Sequence, residues 1–316
     1  MFTVEKYTPD NSREWDDFVK SSRNGTFLLE RGYMDYHSDR FQDCSWMVRK
    51  GRSLVALLPA NITADGVLHS HQGLTYGGWI LPPAHLDGAD LLEIFQTAME
   101  CWSAEGIVSL DYKPIPTVYH RQPSQEDEYA LWRLGAVITE STLDTAVDLR
   151  VGYHFNTLRR RNLSKASKLP LQLVESRDVT SYISMLSECL SERHNASPVH
   201  SADELRLLME RFPENIRIFV ATLADSDLPM DAGVCVYDTG LVAHAQYIAT
   251  TSRGRSENLL APLFNYLMGD VYADRNYFDF GISTEDGGHY LNEGLLRQKY
   301  SFGATGVTSR RYLLTF

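Results

Sequence analysis

Asp279 stands between two phenylalanines in "YFDFGIS", a run that predicts a β-strand. Its side chain alternates to the face opposite Phe278 and Phe280. Carboxylates are depleted in strands and costly to bury alone, so Asp279 needs a partner or lines a cleft. His244 and Gln246 share one face of a second predicted strand, "LVAHAQYIAT". An imidazole there has the ordinary pKa for taking a proton from an incoming amine or alcohol, although a histidine in a strand is more often simply hydrogen-bonded in a core. Lys299, in "GLLRQKYSFGA", offers a fixed cation for a phosphate or an oxyanion if it faces a cleft, and is a surface lysine if it does not. Gly281, Ser283 and Asn292 flank the strand end and the helix predicted after it, and are candidates to line the same cleft.

Two further stretches carry chemistry-bearing side chains. "HSHQGLTYGGWILPP" is dense in glycine and aromatics, and its His71, Thr75 and Tyr76 are candidates for an acceptor cavity. The competing reading is a glycine-rich turn that needs positive φ. "ERHNASPVHS" sets Arg193, His194 and His200 between two predicted helices, a candidate substrate-binding loop. No cysteine or carboxylate at ligand spacing accompanies these histidines, so no metal is expected.

The elements that must position these residues follow from periodicity. Trp15, Phe18 and Val19 keep helical spacing after Ser12, a predicted N-cap. Strands are predicted at "CSWMVRK", "SLVALLPANIT" and "GVLHSHQG", the last two joined by a hairpin at "ADGV". A long amphipathic helix ends at Gly106, and "IVSLDYKPIP" is a strand stopped by prolines. In the second half, helices are predicted over "VTSYISMLSECLSERH" and "SADELRLLMERFP", where Ser201 and Glu204 form a capping box. Three strands, a helix bearing Pro262 in its first turns, the strand around Asp279, the helix "HYLNEGLLRQKYSFG" and a last strand complete the chain.

These halves repeat one plan. "LDYK" at 110–113 and "FDFG" at 278–281 are offset by 168, as are "LGA" at 134–136 and "FGA" at 302–304. Matched offsets with matched element order point to a duplication. The halves are expected as domains 1–148 and 149–316. Between them, Arg150 to Lys168 is rich in Lys and Arg and free of Asp and Glu. It reads as a solvated basic helix face or as a surface beside a phosphate or tRNA backbone.

Bulk properties bound the rest. A chain of 316 residues allows two domains or one large one. A net charge of −11 lowers the expectation of nucleic-acid binding, and no DNA partner is expected. No apolar run reaches the length of a membrane helix, and "MFTVEKYTPDNSREWDDF" lacks the apolar core of a signal peptide. Cys44, Cys101, Cys189 and Cys235 are widely spaced, as reduced cytosolic thiols are. A cytoplasmic location is expected.

The repeated unit resembles the GNAT acyltransferase fold, and its tandem arrangement resembles the FemAB branch. "GLLRQKYSFGA" fits the Fem-type pattern of Gly-Leu, three residues, Lys, two residues, Phe-Gly. The resemblance implies an α/β (α+β) fold of two GNAT-like domains, each a mixed, largely antiparallel sheet flanked by helices. It implies transfer of an acyl group from acyl-CoA or a similar thioester to an amine or hydroxyl of a cell-envelope or polysaccharide precursor. Ile248, Ala249 and Thr250 would offer backbone to the pantetheine arm; Arg253, Gly254, Arg255 and Ser256 would lie by the pyrophosphate. Asn258 and Leu260 depart from that pattern, standing where small residues are usual. Lys299 matches the lysine tied to substrate contact in Fem-type enzymes, and Tyr290 would be the acid for the leaving thiolate. The first copy has "DYKPIP" in place of "DFGIS", which implies a lost donor site. Two alternatives stay open: an aminoacyltransferase that takes aminoacyl-tRNA to a peptidoglycan precursor, and a non-catalytic GNAT scaffold that only binds.

Overall fold

The computed structural model describes residues 1–194 and 197–316, the side chains of residues 193 and 194 excepted. It divides into a first unit of Met1–Thr142, Glu285–Tyr290 and Thr308–Phe316, and a second of Leu143–Thr284 and Leu291–Val307. The strand Val137–Asp148 ends at the expected boundary; its residues up to Thr142 belong to the first unit and those from Leu143 to the second.

The first unit begins with β1 (Phe2–Lys6), α1 (Ser12–Ser21), α2 (Arg31–Met34), β2 (Trp46–Lys50), β3 (Ser53–Leu58), β4 (Asn61–Ile62) and β5 (Val67–His69). It continues with α3 (Gly88–Ala104), β6 (Ser109–Tyr112), α4 (Glu126–Arg133) and the start of β7 (Val137–Asp148). Ser12 is the first residue of α1 rather than its cap, which is Asn11. β1, β2 and β3 form an antiparallel sheet. β4 and β5 are the predicted hairpin, β5 runs parallel to β6, and β6 pairs antiparallel with the last strand of the chain. α3 buries Leu91, Ile94, Phe95, Ala98 and Trp102, one stripe at helical spacing. Each large side chain there contributes about 1.5–3 kcal/mol by leaving water.

The second unit holds α5 (Thr157–Ala166), β8 (Leu171–Ser176), α6 (Val179–His194), α7 (Ala202–Arg211), β9 (Ile216–Leu223), β10 (Ala232–Asp238) and β11 (Val242–Thr250). Next come α8 (Ser252–Ser256), α9 (Leu260–Tyr266) with a π-helical turn after it, β12 (Tyr277–Ile282), β13 (Thr284–Glu285), β14 (Tyr290–Leu291), α10 (Glu293–Tyr300) and β15 (Thr305–Thr315). α5 lies inside the basic stretch Arg150 to Lys168, and β8 follows directly after it. The last helix is shorter than its periodicity suggests: Tyr290 and Leu291 are extended, and α10 starts after Asn292, whose side chain accepts from the Leu295 N–H. β8 to β11 are antiparallel, β11 is parallel to β12, and β12 is antiparallel to the Leu143–Asp148 part of β7.

The two copies therefore exchange their last strands. β7 closes the first copy in sequence but completes the second unit's sheet; β15 closes the second copy and completes the first unit's. Phe278, Phe280, Phe264 and Phe302 meet in the second unit's core, so alternation turns Asp279 to the other face of β12.

Candidate functional site

The parallel ladder of β11 and β12 is short. It pairs Val242 with Tyr277, Ala243 with Phe278 and His244 with Asp279, and stops there. At the last rung His244 Nδ1 lies 2.9 Å from Asp279 Oδ2. The other carboxylate oxygen accepts from the Gly281 N–H at 2.7 Å. Gly281 takes φ +72, a conformation strained for residues with a side chain, and a Cβ there would stand 3.3 Å from His244 Cε1. That turn carries β12 away from β11.

Lys299, on α10, reaches the same corner. It is buried, and its ammonium donates to Gly281 O at 2.8 Å and to Ile282 O. Thr145 Oγ1 also donates to Gly281 O. Asp144, beside Thr145 on β7, acts electrostatically on both His244 and Lys299. Burial works against the His244 imidazolium, but Asp279 and then Asp144 outweigh it, so the imidazole's pKa is raised above its usual value. Burial brings the Lys299 ammonium down to about 8, against the pull of the same two carboxylates. The cluster thus holds a base oriented through Nδ1 with Nε2 left over, and a cation that has given up part of its hold on its proton. Ser283, one residue beyond, is buried and its Oγ has no hydrogen-bond partner.

β11 is bulged where it passes the end of that ladder. Ala245 faces Val236 and Tyr247 faces Cys235, which makes Gln246 the extra residue. The buried Tyr182 hydroxyl of α6 fills the opening, accepting from Cys235 N at 3.0 Å and donating to Tyr247 O at 2.8 Å.

About 20 Å from His244 along β11, Thr250, Thr251, Ser252, Arg253 and Arg255 line a cavity of about 510 Å³ together with residues of α6 and with Ser226, Asp227, Leu228 and Asp231. Here the expected phosphate site takes an unexpected form. Arg253 is held by Asp225 at 2.7 Å, and Arg255 by Glu192 at 3.1 Å, Ser252 and Thr250 O. Glu188, Glu192, Asp227 and Asp231 outnumber the two arginines in the lining. Gly254 is needed for a backbone approach, since a Cβ would fall 2.1 Å from Asp231 O. Ser256 bonds back to Arg253 O, Ile248 packs on the core, and Ala249 is buried. Asn258 stands in for a small residue because it takes the left-handed conformation, φ +59, which asparagine tolerates.

Tyr290 is exposed and belongs to the first unit. His71 and Tyr76 are buried in the first unit, His71 stacked on His37 and Tyr76 bonded to Thr26. His71 adopts φ +70, and burial pushes its pKa down to about 3. Asn292 caps α10, and the side chain of His194 lies outside the described residues. Among the described residues, no group of three or more His, Cys, Asp and Glu is placed to hold a metal ion.

Sequence reasoning missed a duplicate of the dyad. In the first unit His69 and Asp111 end the parallel ladder of β5 and β6, with Nδ1 to Oδ2 at 2.8 Å. Asp111 and Asp279 share the repeat offset of 168, which was the available signal. This copy is closed: the Arg311 guanidinium forks onto both Asp111 oxygens, and His69 Nε2 faces Thr63 Oγ1 at 3.3 Å. Asp144 and Thr145 were also missed, because the strand that carries them belongs to the first copy in sequence.

No family model matches the chain, and no curated protein matches it. Among solved structures, the chain is similar to FemX, with a TM-score of 0.70 at 12% identity over 99% of this chain and 97% of that one. L-PGS from Bacillus licheniformis gives 0.59 at 12% identity, covering 98% and 92%. A tandem GNAT protein from the clavulanic acid biosynthesis pathway gives 0.51 at 11%, covering 100% and 98%. What is shared at such identities is the fold: this chain has a FemAB-like tandem GNAT fold, with mixed sheets flanked by helices.

Proposed function

We propose that the chain is an acyltransferase whose second unit carries the reaction. The observation that carries this reading is the His244–Asp279 dyad at the end of the parallel ladder, with the Lys299 ammonium held beside it. The acceptor's nitrogen or oxygen attacks the donor carbonyl, forming a C–N or C–O bond. Its proton passes to His244 Nε2, and Asp279 stabilises the imidazolium. Lys299 supplies positive charge as the carbonyl oxygen becomes an oxyanion. The C–S or C–O bond to the leaving group then breaks, and the imidazolium returns the proton to it.

The donor we assign first is acyl-CoA, with a cell-envelope or polysaccharide precursor as acceptor. A specific observation favours a second donor, aminoacyl-tRNA. Both arginines of the phosphate turn are already paired with carboxylates, whereas Arg160, Arg161 and Lys168 on and after α5 are exposed. One experiment separates the two. Thiol release from acyl-CoA thioesters and deacylation of aminoacyl-tRNA are followed with amino-sugar and lipid-linked acceptors, in wild type and His244→Ala. Turnover of one donor that His244→Ala abolishes supports the reading. Saturable binding with no turnover of either donor would leave a non-catalytic scaffold.

A further inference from the structure

The first unit displays an apolar groove unconnected with the chemistry above. It has a volume of about 620 Å³ and is lined by α4, the start of β7 and the end of β15. Tyr129 and Trp132, one helical turn apart on α4, are 55% and 70% exposed, and their rings lie 6.4 Å apart at 32°. Val137 and Ile138, at the start of β7, are 57% and 56% exposed. Large apolar side chains left this wet in one place mark a contact surface.

We infer that this groove docks on a lipid surface. Amphipathic Trp and Tyr rings settle at the headgroup level, and aliphatic side chains beside them reach the acyl boundary. A sugar stacks on aromatic rings but leaves Val137 and Ile138 in water. Charge decides which face can approach such a surface. The chain carries −11 overall, which repels an anionic membrane. In the groove Glu128 accepts from Gln125 and Tyr312 and lies 3.6 Å from Arg310, so its charge is matched. The next charge along α4 is the exposed Arg133. An acidic chain can approach lipid phosphates at this face. The inference is independent of the transfer reaction and is tested without it.

Trp15, Trp46, Trp79 and Trp102 are no more than 1% exposed, so among the five tryptophans Trp132 reports the groove. The full chain is mixed with vesicles of phosphatidylcholine, alone or with phosphatidylglycerol. The expected result is co-sedimentation, a blue shift of emission and quenching by brominated lipid, with binding lowered at least ~10-fold in Ile138→Glu and in Trp132→Ser. Both positions are exposed, so both variants should fold, which circular dichroism checks. The inference is overturned by unchanged emission with no sedimentation, or by binding that both variants retain. It is also overturned by a blue shift that follows protein concentration without lipid, which would make the occupant a second copy.

Discussion

Replacing Asp279 by Asn keeps the shape of the dyad and changes one hydrogen-bond polarity. Asp279 Oδ1 accepts from the Gly281 N–H at 2.7 Å, and Oδ2 faces His244 Nδ1 at 2.9 Å. An asparagine must keep its oxygen on the Gly281 N–H, because a buried N–H left without an acceptor costs about 1–3 kcal/mol. Its NH₂ then faces His244 Nδ1 and forces the ring proton to Nε2, the atom that takes the acceptor's proton in the proposed reaction. The carboxylate that raises the imidazole's pKa is lost as well. A charge-assisted bond of this kind contributes about 1.5–3 kcal/mol, and the wrong tautomer adds to that, so kcat should fall by roughly 10²–10⁴. The pH profile gives a second readout. In wild type kcat should rise with pH as His244 loses its proton, on a limb displaced above the ordinary histidine pKa of about 6.5. In Asp279→Asn the His244 ring resonance, followed by NMR, should titrate at lower pH, and the limb should move with it. An Asp279→Asn enzyme within threefold of wild type, with its limb in place, would show that His244 is not the base.

Three further outcomes test the same geometry. Lys299→Met leaves Ile282 O without its donor, since Gly281 O keeps Thr145; the melting temperature at neutral pH should drop by a few degrees for a loss of about 1–3 kcal/mol. Because the Lys299 ammonium titrates near 8 when folded and near 10.5 when unfolded, the unfolded chain holds more protons in that window. Wild type should therefore gain on Lys299→Met as pH rises from about 8 to 10.5, and a constant gap in thermal melts would refute the lowered pKa. Tyr182→Phe strips the bulge of its filling hydroxyl, exposing Cys235 N–H and Tyr247 O to a buried void; hydrogen exchange at Cys235 should speed up at least ~10-fold. Asp111→Asn should cost about 1–3 kcal/mol of stability yet leave kcat within about twofold, because Arg311 already occupies its carboxylate; a loss of kcat like that of Asp279→Asn would assign catalysis to the first unit too.

Much of this protein was legible in one dimension. The 168-residue offset exposed the duplication, and alternation put Asp279 opposite its phenylalanine neighbours, where a carboxylate demands a partner. The Lys-x-x-Phe-Gly run pointed to Lys299. The offset and the alternation are read along the chain itself, the second because the period of a strand fixes the face each side chain takes; Lys299 came from the resemblance to the Fem-type pattern. What depends on separate segments was decided by tertiary structure. Nothing in the order of residues says that the copies exchange last strands, which sets Asp144 and Thr145 against the corner that Lys299 holds. Nor does it say that Asp225 and Glu192 meet Arg253 and Arg255. The two His–Asp dyads have the same rung and the same atoms, yet one is forked by Arg311 and the other leaves Nε2 over. The cause is the third side chain: the strand carrying Arg311 packs beside one aspartate, and the helix carrying Lys299 packs beside the other.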